Sequence, residues 1–423
     1  MAVRSPPQPT RRGLSKLPSQ PVRDSETVHG LQIALVIAGI GATLPMFSLG
    51  TQIASAQGLA ATTTIALEAC GLVSVLAALT SIVGARRRLS TYRILIDSFG
   101  TRGAQLINVL LAVMLLGWFA MTADMLGGTV QHAMATVYGH EWPQWLFTSA
   151  ALALMTATGI FGFHVMERFV RITVPTLTAL MIYVVVLSVS RNGVAAAWHR
   201  VGDHALSSID ALSSVIGAIV LTAVLAPDLT RYARNYRQAL LSVLGVAIGF
   251  PAALILAAIP AAIYGQRELM DVMVLLQIPV VALLVLVIST WTSNTSNLYS
   301  ATLTLATLFE SRSTRVLGLW GALFALGATI AGIADHFIPL LIALGVVSAP
   351  LAGVYVVDFW IQPYSDELPA FRLGALASWA LGSAVGLAET YSGWPGLTRI
   401  PAIDSILIAA LAQGLIRRGR QRG

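Results

Sequence analysis

The stretch GIGATLPMFSLG, residues 39–50, lies in the middle of the first long apolar run of the chain. Glycine weakens a helix and Pro45 removes a backbone hydrogen-bond donor, so this run predicts a helix that is interrupted halfway. A second apolar run, at 209–227, has Gly217 near its middle and Pro227 at its end. One interpretation is that the glycines only allow helices to pack closely. The matching positions of the two runs favour another, in which broken helices in two inverted halves expose backbone groups at the bilayer midplane.

The composition of the chain is that of a membrane protein. Of its 423 residues, 56% are hydrophobic and 11% are charged, and the mean hydropathy is +0.77. A soluble domain has about 25% charged residues, and a bilayer core about 30 Å thick needs about 20 helical residues to cross it. We therefore predict an all-α polytopic membrane protein with about twelve transmembrane segments, numbered in chain order. The segments are 31–57, 61–84, 104–135, 144–164, 169–190, 209–227, 237–263, 273–308, 316–334, 337–358, 373–391 and 401–416.

The placement of the basic residues supports this number of segments. Twenty-two of the 26 Lys and Arg residues fall before segment 1, in links after even-numbered segments or at the first residues of the segments that follow them, or after segment 12. The positive-inside rule then predicts a multi-pass protein of the cytoplasmic (inner) membrane with both termini cytoplasmic. The exceptions are Arg191, Arg200, Arg267 and Arg399. Because the charges set topology, no nucleic-acid partner is predicted. The Pro-, Ser- and Arg-rich residues 1–29 predict a disordered cytoplasmic tail.

The motifs of common enzyme classes are absent from this sequence. It contains no HExxH, no GxSxG and no P-loop, so neither an enzyme nor a cofactor is predicted. The single cysteine, Cys70, excludes a disulfide within the chain and a thiol metal site. A solute carrier is the prediction that these observations favour.

Segment 8 contains the most polar stretch inside a predicted span, from Ser289 to Asn297. Such side chains are costly in hydrocarbon unless they have partners. The hydroxyls of Ser289, Thr292 and Ser293 are oxygen ligands that suit a small hard cation, together with carbonyls freed by a broken segment 1. The alternative is that these hydroxyls bond back to the carbonyl four residues earlier and only bend the helix.

Segment 3 places Trp118 near mid-span, where its flat ring can stack on a planar solute. Thr122, four residues later, faces the same way. The alternative is a Trp that packs in the core. The carboxylates of Glu68 and Asp124 lie inside predicted spans, and intramembrane ionisable groups indicate function. Each is a candidate proton carrier or gate contact, and the alternative is a structural acceptor.

Several motifs together resemble one transporter family, the cytosine/purine permease branch of the nucleobase–cation symporters. The similarity covers roughly residues 30–310 well and the last helices weakly. The motifs that carry it are GWFAMTADML (117–126), PDLTRYAR (227–234) and WTSNTSNLYSATL (291–303), with support from IVGARRRLSTY (82–92) and the SFG at 98–100.

The resemblance implies a leucine-transporter-type fold with two inverted five-helix repeats and two C-terminal helices. The repeats would span 30–195 and 196–360, and 361–423 would hold segments 11 and 12 and a basic cytoplasmic C-terminus. It also implies secondary active import of a nucleobase, cytosine or purine-like, by alternating access. The coupling ion would be Na⁺ or H⁺, and a monomer in the lipid bilayer would bind the planar nitrogenous substrate.

The family pattern, carried over by position, also implies site residues. The cation would be held by the Gly39 and Ala42 carbonyls, by Ser289, and by the hydroxyls of Thr292 and Ser293. The substrate site would consist of Thr43, Trp118, Thr122, Gly217, Ala218, Ile219, Asn294 and Asn297. In this arrangement Trp118 stacks on the ring, and the amides bind its polar edge because an amide both donates and accepts.

The chain departs from the family pattern at several positions. Thr122 stands where hydantoin- and allantoin-type members have an amide, and Ala218 and Ile219 stand where they have an aromatic residue. Segment 8 reads NTSN where cytosine permeases have NDN. The substrate therefore stays open between a nucleobase, a thiamine-precursor pyrimidine, an allantoin- or hydantoin-like ureide and an amino acid. A receptor that binds without transporting is a remoter alternative. Asp228 and Arg231 are interpreted as topology and gating residues.

Overall fold

The computed structural model describes residues 21–161, 163–306, 313–361 and 368–422. Within these ranges the chain forms α-helices and no named β-strand, with a π-helical turn at Gly245–Gly249 and 3₁₀ turns at Asp24–Glu26 and Ile333–His336. The α-helices are α1 Gly30–Gly41, α2 Leu44–Gln57, α3 Leu59–Arg87, α4 Thr91–Phe99, α5 Thr101–Tyr138, α6 Gln144–Phe161, α7 Phe163–Asn192, α8 Ala195–Trp198, α9 Ser208–Val224, α10 Ala226–Thr230, α11 Tyr236–Ser242, α12 Phe250–Tyr264, α13 Leu269–Leu275, α14 Pro279–Ala306, α15 Thr314–Ile330, α16 Phe337–Ile361, α17 Leu373–Ser392 and α18 Pro401–Arg422.

Every predicted segment coincides with a helix or with consecutive helices, so the all-α class is confirmed. The bent pair α1–α2 makes one candidate span, and α9 and α15 are shorter apolar helices. Six other stretches in the described part are long and apolar enough to cross a bilayer: Leu59–Arg87, Thr101–Tyr138, Ile172–Asn192, Tyr236–Tyr264, Pro279–Ala306 and Ile333–Ile361.

Segment 8 was predicted as one helix over 273–308, and the structure divides it. Helix α13 ends at Leu275, Gln277 has a φ of +64°, and α14 starts at Pro279. Proline disfavours helical backbone in the residue before it, which explains why the helix does not continue through this point. The last two residues of the predicted segment lie outside the described residues.

The predicted interruption of segment 1 is present. Helices α1 and α2 meet at an angle of 62°. Thr43 between them is extended, with φ −136° and ψ 159°, and Pro45 lies in the first turn of α2, where a missing N–H is tolerated. The break therefore combines a stop at the end of α1 with a proline-marked start of α2.

The predicted interruption of segment 6 at Gly217 is wrong. Helix α9 is continuous from Ser208 to Val224. A Cβ atom at Gly217 would overlap the carbonyl oxygen of Leu341 in α16, and a Cβ at Gly345 would lie 2.9 Å from the Gly217 Cα. Gly217 thus allows α9 and α16 to cross in close contact. This is the role that the close-packing interpretation of the sequence gives it. The helix ends only at Leu225, just before Pro227.

The basic links meet at one end of the bundle, called the Arg-rich end below. The Thr91 N–H, at the start of α4, donates to Asp228 of α10 over 2.9 Å. The Arg102 N–H donates to the Ala370 carbonyl, before α17, over 2.8 Å. The links after segments 2, 6 and 10 are therefore neighbours, as the predicted topology requires.

Two of the four remaining arginines lie together at the opposite end. The Arg200 guanidinium donates to the Ala262 carbonyl over 2.8 Å, near the end of α12. Arg267 forms an ion pair with Asp203 in the exposed link before α9. The two groups of basic residues that the sequence separates are thus also separated in space.

The predicted disordered tail is only partly described, because its first twenty residues lie outside the described residues. Residues 21–29 are ordered and lie against the Arg-rich end. The Val22 N–H donates to the Arg88 carbonyl over 3.1 Å, and the Val28 N–H donates to the Tyr232 carbonyl over 2.7 Å. Backbone pairing of this kind explains why these nine residues depart from the prediction.

One charged residue of the carboxyl end is buried. Arg417 of α18 is 5% exposed and donates to both carboxylate oxygens of Asp358 in α16, over 2.7 and 2.9 Å. Gln413 donates to the same carboxylate over 2.6 Å. This buried, hydrogen-bonded ion pair fixes α18 against α16.

Candidate functional site

The break between α1 and α2 exposes backbone oxygens inside the bundle. Ala42 has φ −83° and ψ 71°, and the Thr43 N–H donates to the Gly41 carbonyl over 3.0 Å, as in an inverse γ-turn. The Ala42 N–H is shared by the Ala38 and Gly39 carbonyls, at 3.2 and 3.3 Å. Because the helical ladder stops here, carbonyls at this end of α1 are available to a ligand.

The polar stretch of α14 faces α7. The hydroxyls of Thr292 and Thr173 lie 3.0 Å apart, and the Ser289 hydroxyl donates to the Thr173 carbonyl over 3.3 Å. All three residues are buried. Ser293 is only half-buried, and its hydroxyl donates back to the Ser289 carbonyl over 2.8 Å. The hydroxyls therefore bond back to their own helix, as the second sequence interpretation predicts, and those of Ser289 and Thr292 also contact a neighbouring helix.

Helix α7 connects this cluster to the break. A Cβ atom at Gly39 would lie 3.3 Å from Val174 Cγ1, and Val174 is adjacent to Thr173. Gly39 therefore contacts α7 one residue away from Thr173, which Ser289 and Thr292 contact. No group of three or more His, Cys, Asp or Glu suited to a metal occurs in the described residues. The oxygens here are carbonyls and hydroxyls, which suit a hard alkali cation.

Sequence reasoning did not select Thr173. One threonine near the start of an apolar segment carries little information, because it normally bonds to its own helix. The signal becomes visible only once α7 and α14 are packed together.

Trp118 and Thr122 lie on one face of α5. Trp118 is half-buried, whereas Thr122 is 3% exposed. The Thr122 hydroxyl oxygen is buried and has no hydrogen-bond partner within the described residues. A buried, unpaired hydroxyl carries a desolvation cost, which a bound polar solute would offset.

The two asparagines of α14 form a chain of amides that ends on α5. The Asn297 amide donates to Asn294 Oδ1 over 2.9 Å, and the Asn294 amide donates to the Phe119 carbonyl over 2.9 Å. Asn294 is buried, and Asn297 is half-buried. Asn294 therefore holds Asn297 beside the turn of α5 that carries Trp118, with the Asn297 carbonyl oxygen still able to accept.

The three predicted site residues of α9 have different surroundings. Gly217 packs on α16, as described above, and Ile219 is fully buried in the apolar core. Ala218 is half-buried and packs at the edge of the core cluster that Trp118 also borders. Of the three, Ala218 is the residue whose side chain is neither fully buried nor under a neighbouring backbone.

The carboxylates of Asp124 and Glu68 also differ. Asp124 is buried and accepts hydrogen bonds from Gln144 at 3.0 Å and Thr148 at 2.9 Å, both in α6. These contacts favour the structural-acceptor alternative. Glu68 is exposed on α3, beside the exposed Leu67.

The link between α9 and α11 is anchored by polar contacts at the Arg-rich end. The Tyr355 hydroxyl of α16 donates to the Val224 carbonyl, the end of α9, over 2.7 Å. Desolvation raises the pKa of Asp228, and the Thr91 N–H and the Arg231 guanidinium oppose that rise. These contacts connect α3–α4, α9–α10 and α16, which agrees with a gating interpretation of Asp228.

Comparison with known proteins decides the family. A family model for permeases for cytosine/purines, uracil, thiamine and allantoin matches residues 32–367. The chain belongs to this permease family. The predicted resemblance and the prediction of a transporter rather than an enzyme are therefore confirmed.

The permease is similar in sequence to curated proteins of known name. Cytosine permeases of Escherichia coli O157:H7 and of strain K12 are both 27% identical to it over 338 residues, which cover 78% of each chain.

Solved structures confirm the predicted fold of the permease. Mhp1 in an inward-facing conformation has a TM-score of 0.82 at 17% identity, covering 97% of this chain and 95% of that one. Mhp1, described as a nucleobase-cation-symport-1 family transporter, in a closed conformation with bromovinylhydantoin bound has a TM-score of 0.78 at 16% identity, covering 96% of each chain. A manganese transporter of Eremococcus coleocola has a TM-score of 0.57 at 14% identity, covering 93% of this chain and 94% of that one.

Proposed function

We propose that the permease imports a nucleobase, cytosine or purine-like, together with Na⁺ or H⁺ across the cytoplasmic membrane by alternating access. The cytosine permeases of E. coli and the cation symporter Mhp1 support this choice of solute and coupling. The Arg-rich end would face the cytoplasm, because basic links are retained on that side. Both termini would then be cytoplasmic, and a single chain would hold a complete site.

The observation that carries the proposal is that one stretch of α7, Thr173 and Val174, contacts both the α1 break and the hydroxyls of α14. A cation would be bound by the Gly39 and Ala42 carbonyls and by the hydroxyls of Ser289, Thr292 and Thr173. Thr173 is added to the set because its hydroxyl lies 3.0 Å from that of Thr292. Ser293 would contribute less, since its hydroxyl bonds back to Ser289.

The planar solute would lie beside the cation, on the turn of α5 that carries Trp118. Trp118 would stack on the ring, and Asn297 would bind its polar edge while Asn294 positions Asn297. Thr43, Thr122 and Ala218 would complete the pocket, and the unpaired Thr122 hydroxyl would donate or accept. Gly217 and Ile219 would act only by shaping α9.

Cation and solute would stabilise one another through the α1 break, which both would touch. Such coupling is reciprocal: if the ion raises the affinity for the solute, the solute raises the affinity for the ion by the same factor. The inward ion gradient would then drive uptake.

The test is uptake of labelled cytosine, adenine, uracil and hypoxanthine by proteoliposomes, with and without an inward Na⁺ gradient and an inward proton gradient. We expect concentrative uptake of at least one base under one of the gradients. Counterflow without uptake under either gradient would contradict ion coupling, and no counterflow of any ring compound would contradict transport.

A second candidate keeps the coupling and changes the solute. Small side chains at Thr122 and Ala218, where hydantoin- and allantoin-type members have larger groups, favour a different ring. A thiamine-precursor pyrimidine, an allantoin- or hydantoin-like ureide, or an amino acid would then compete with labelled cytosine. A non-transporting receptor would bind these compounds but give no counterflow.

A further inference from the structure

The outer surface at the Arg-rich end has two guanidinium groups around exposed aromatic rings. Arg86, in the last turn of α3, lies over the Tyr236 ring at 5.8 Å and over the Trp360 ring at 5.4 Å, measured from its guanidinium carbon to each centroid. Arg237 lies over the same Tyr236 ring at 5.9 Å. The two guanidinium carbons are therefore no more than about 12 Å apart.

Three other described arginines of this end have carboxylate partners. Arg88 and Arg93 form ion pairs with nearby aspartates, at 2.5 and 3.1 Å, and Arg417 pairs with a buried aspartate. Within the described residues, neither Arg86 nor Arg237 has a carboxylate partner, although both are exposed. Stacking on a ring uses the face of a guanidinium and leaves N–H groups at its edge. The Arg237 Nε–H donates to the Tyr236 hydroxyl over 3.4 Å, and the terminal N–H groups of Arg86 and Arg237 can donate to an anion.

The exposed aromatic rings indicate how deep in the bilayer this surface lies. Tyr236 is 42% exposed and Trp360 is 53% exposed. Exposed Tyr and Trp at the ends of apolar spans lie at the level of lipid headgroups. The cations therefore lie where the phosphates of the surrounding lipid lie, not in a cavity that opens to the cytoplasm.

Two apolar stripes run from the cluster into the membrane. On α3, Leu79 and Val75 are exposed two and three turns before Arg86. From Tyr236, Leu240 and Leu244 are exposed one and two turns further along the chain. Helix α3 ends at the Arg-rich end and α11 begins there, so both stripes extend in the same direction, as a pair of acyl chains would.

We propose that Arg86, Arg237, Tyr236 and Trp360 form a binding site for the headgroup of an anionic phospholipid, with its acyl chains along α3 and the span that begins with α11. The phosphodiester accepts from both guanidinium groups, because planar forks of N–H donors match phosphate oxygens. The lipid bridges α3, α11 and α16, three elements of different parts of the chain. A free phosphate would satisfy the arginines but leave the apolar stripes without a partner.

The test measures lipid binding to the full-length protein, in detergent, by native mass spectrometry and by thermal unfolding. Phosphatidylglycerol is compared with phosphatidylcholine and with inorganic phosphate. We expect phosphatidylglycerol to remain bound and to raise the unfolding temperature, and the other two to have little effect. Equal protection by inorganic phosphate would overturn the assignment to a lipid, as would equal protection by phosphatidylcholine.

The variant Arg86→Gln/Arg237→Gln should weaken binding of phosphatidylglycerol roughly thirtyfold, at roughly fivefold for each cation. The control Arg102→Gln/Arg418→Gln removes the same charge from exposed positions at the same end and should leave binding within about twofold. Equal losses in the two double variants would show a diffuse charge effect and overturn the site. If the double variant fails to fold, Arg237→Gln alone replaces it in the test. This variant changes an exposed residue in the first turn of α11 and should weaken phosphatidylglycerol binding roughly fivefold.

Discussion

The α1–α2 break and the middle of α9 are matched in sequence position, yet they have opposite structures. Both contain glycine inside an apolar run, but only the first bends, by 62°. At the first, extended Thr43 and Pro45 end one helix and begin another. At the second, Gly217 lies under the Leu341 carbonyl and serves a helix crossing. A glycine in a membrane helix thus permits either outcome, and the neighbouring proline and the packing partner decide between them.

The difference between the α1–α2 break and α9 also determines which elements offer free backbone oxygens. The oxygens freed by the break belong to α1, while α9 has its break displaced to Leu225, near the Arg-rich end. There the Tyr355 hydroxyl satisfies the last carbonyl of α9. The proposed site therefore uses one broken helix and the side chains of α5, α7 and α14.

The largest expected effect is at the crossing of α9 and α16. Gly217→Val places side-chain atoms on the Leu341 carbonyl and should lower the free energy of unfolding by about 3 kcal/mol or more. Gly117→Ala is the matched control, because a Cβ there has nothing within 4 Å. The yield of folded protein and its unfolding temperature measure both variants. If Gly217→Val leaves the yield and the unfolding temperature unchanged, the close crossing is wrong and an interruption of α9 at this glycine regains support.

The next effect concerns the oxygens beside the break. Thr292→Ala removes one proposed cation ligand and should raise the ion concentration for half-maximal uptake about ten- to a hundredfold, in the range of a lost hydrogen bond to a charge. Thr290→Ala is the control, since Thr290 is equally buried on the same helix but faces another way. Unchanged ion dependence in Thr292→Ala would exclude the proposed cation site.

A smaller effect is expected where α9 does end. Tyr355→Phe removes the donor to the Val224 carbonyl and should cost about 1 kcal/mol of unfolding free energy. Tyr183→Phe, at an exposed position of α7, should cost nothing measurable. Thermal unfolding compares the two, and an equal, negligible change in both would show that the α9 end does not need this hydroxyl.

The smallest effect is expected at the α1–α2 break itself. Pro45→Ala should lower the unfolding free energy by about 0.4–1 kcal/mol, because proline restricts the unfolded chain. The bend should survive, since Thr43 already has extended backbone. Spin labels in α1 and α2 would measure their angle, and straightening in Pro45→Ala would show that the proline alone makes the break.

The sequence predicts those features that depend on local chemistry. The break at Pro45, the separation of basic residues at two ends, and the position of Trp118 and Thr122 on one helix face all follow from residue type and spacing. The continuous α9 and the division before Pro279 were missed, although proline offered a signal at the second.

Features that depend on a distant partner could not be predicted. Thr173 gains importance only from its distance to Thr292, and Arg417 from its pairing with Asp358. Sequence reasoning assigned Arg417 to the basic terminus because a charge count does not show burial. These contacts join residues more than fifty positions apart, so no local pattern encodes them.

The ordered residues after position 20 have a practical consequence for following the transport cycle. The Val22 amide is bonded to the link after α3, and the Val28 amide is bonded to the link after α10. Separation of these two links must release at least one of the two amides to solvent. Deuterium uptake at Val22 and Val28, measured with and without solute, would therefore report opening at this end of the molecule without any attached probe.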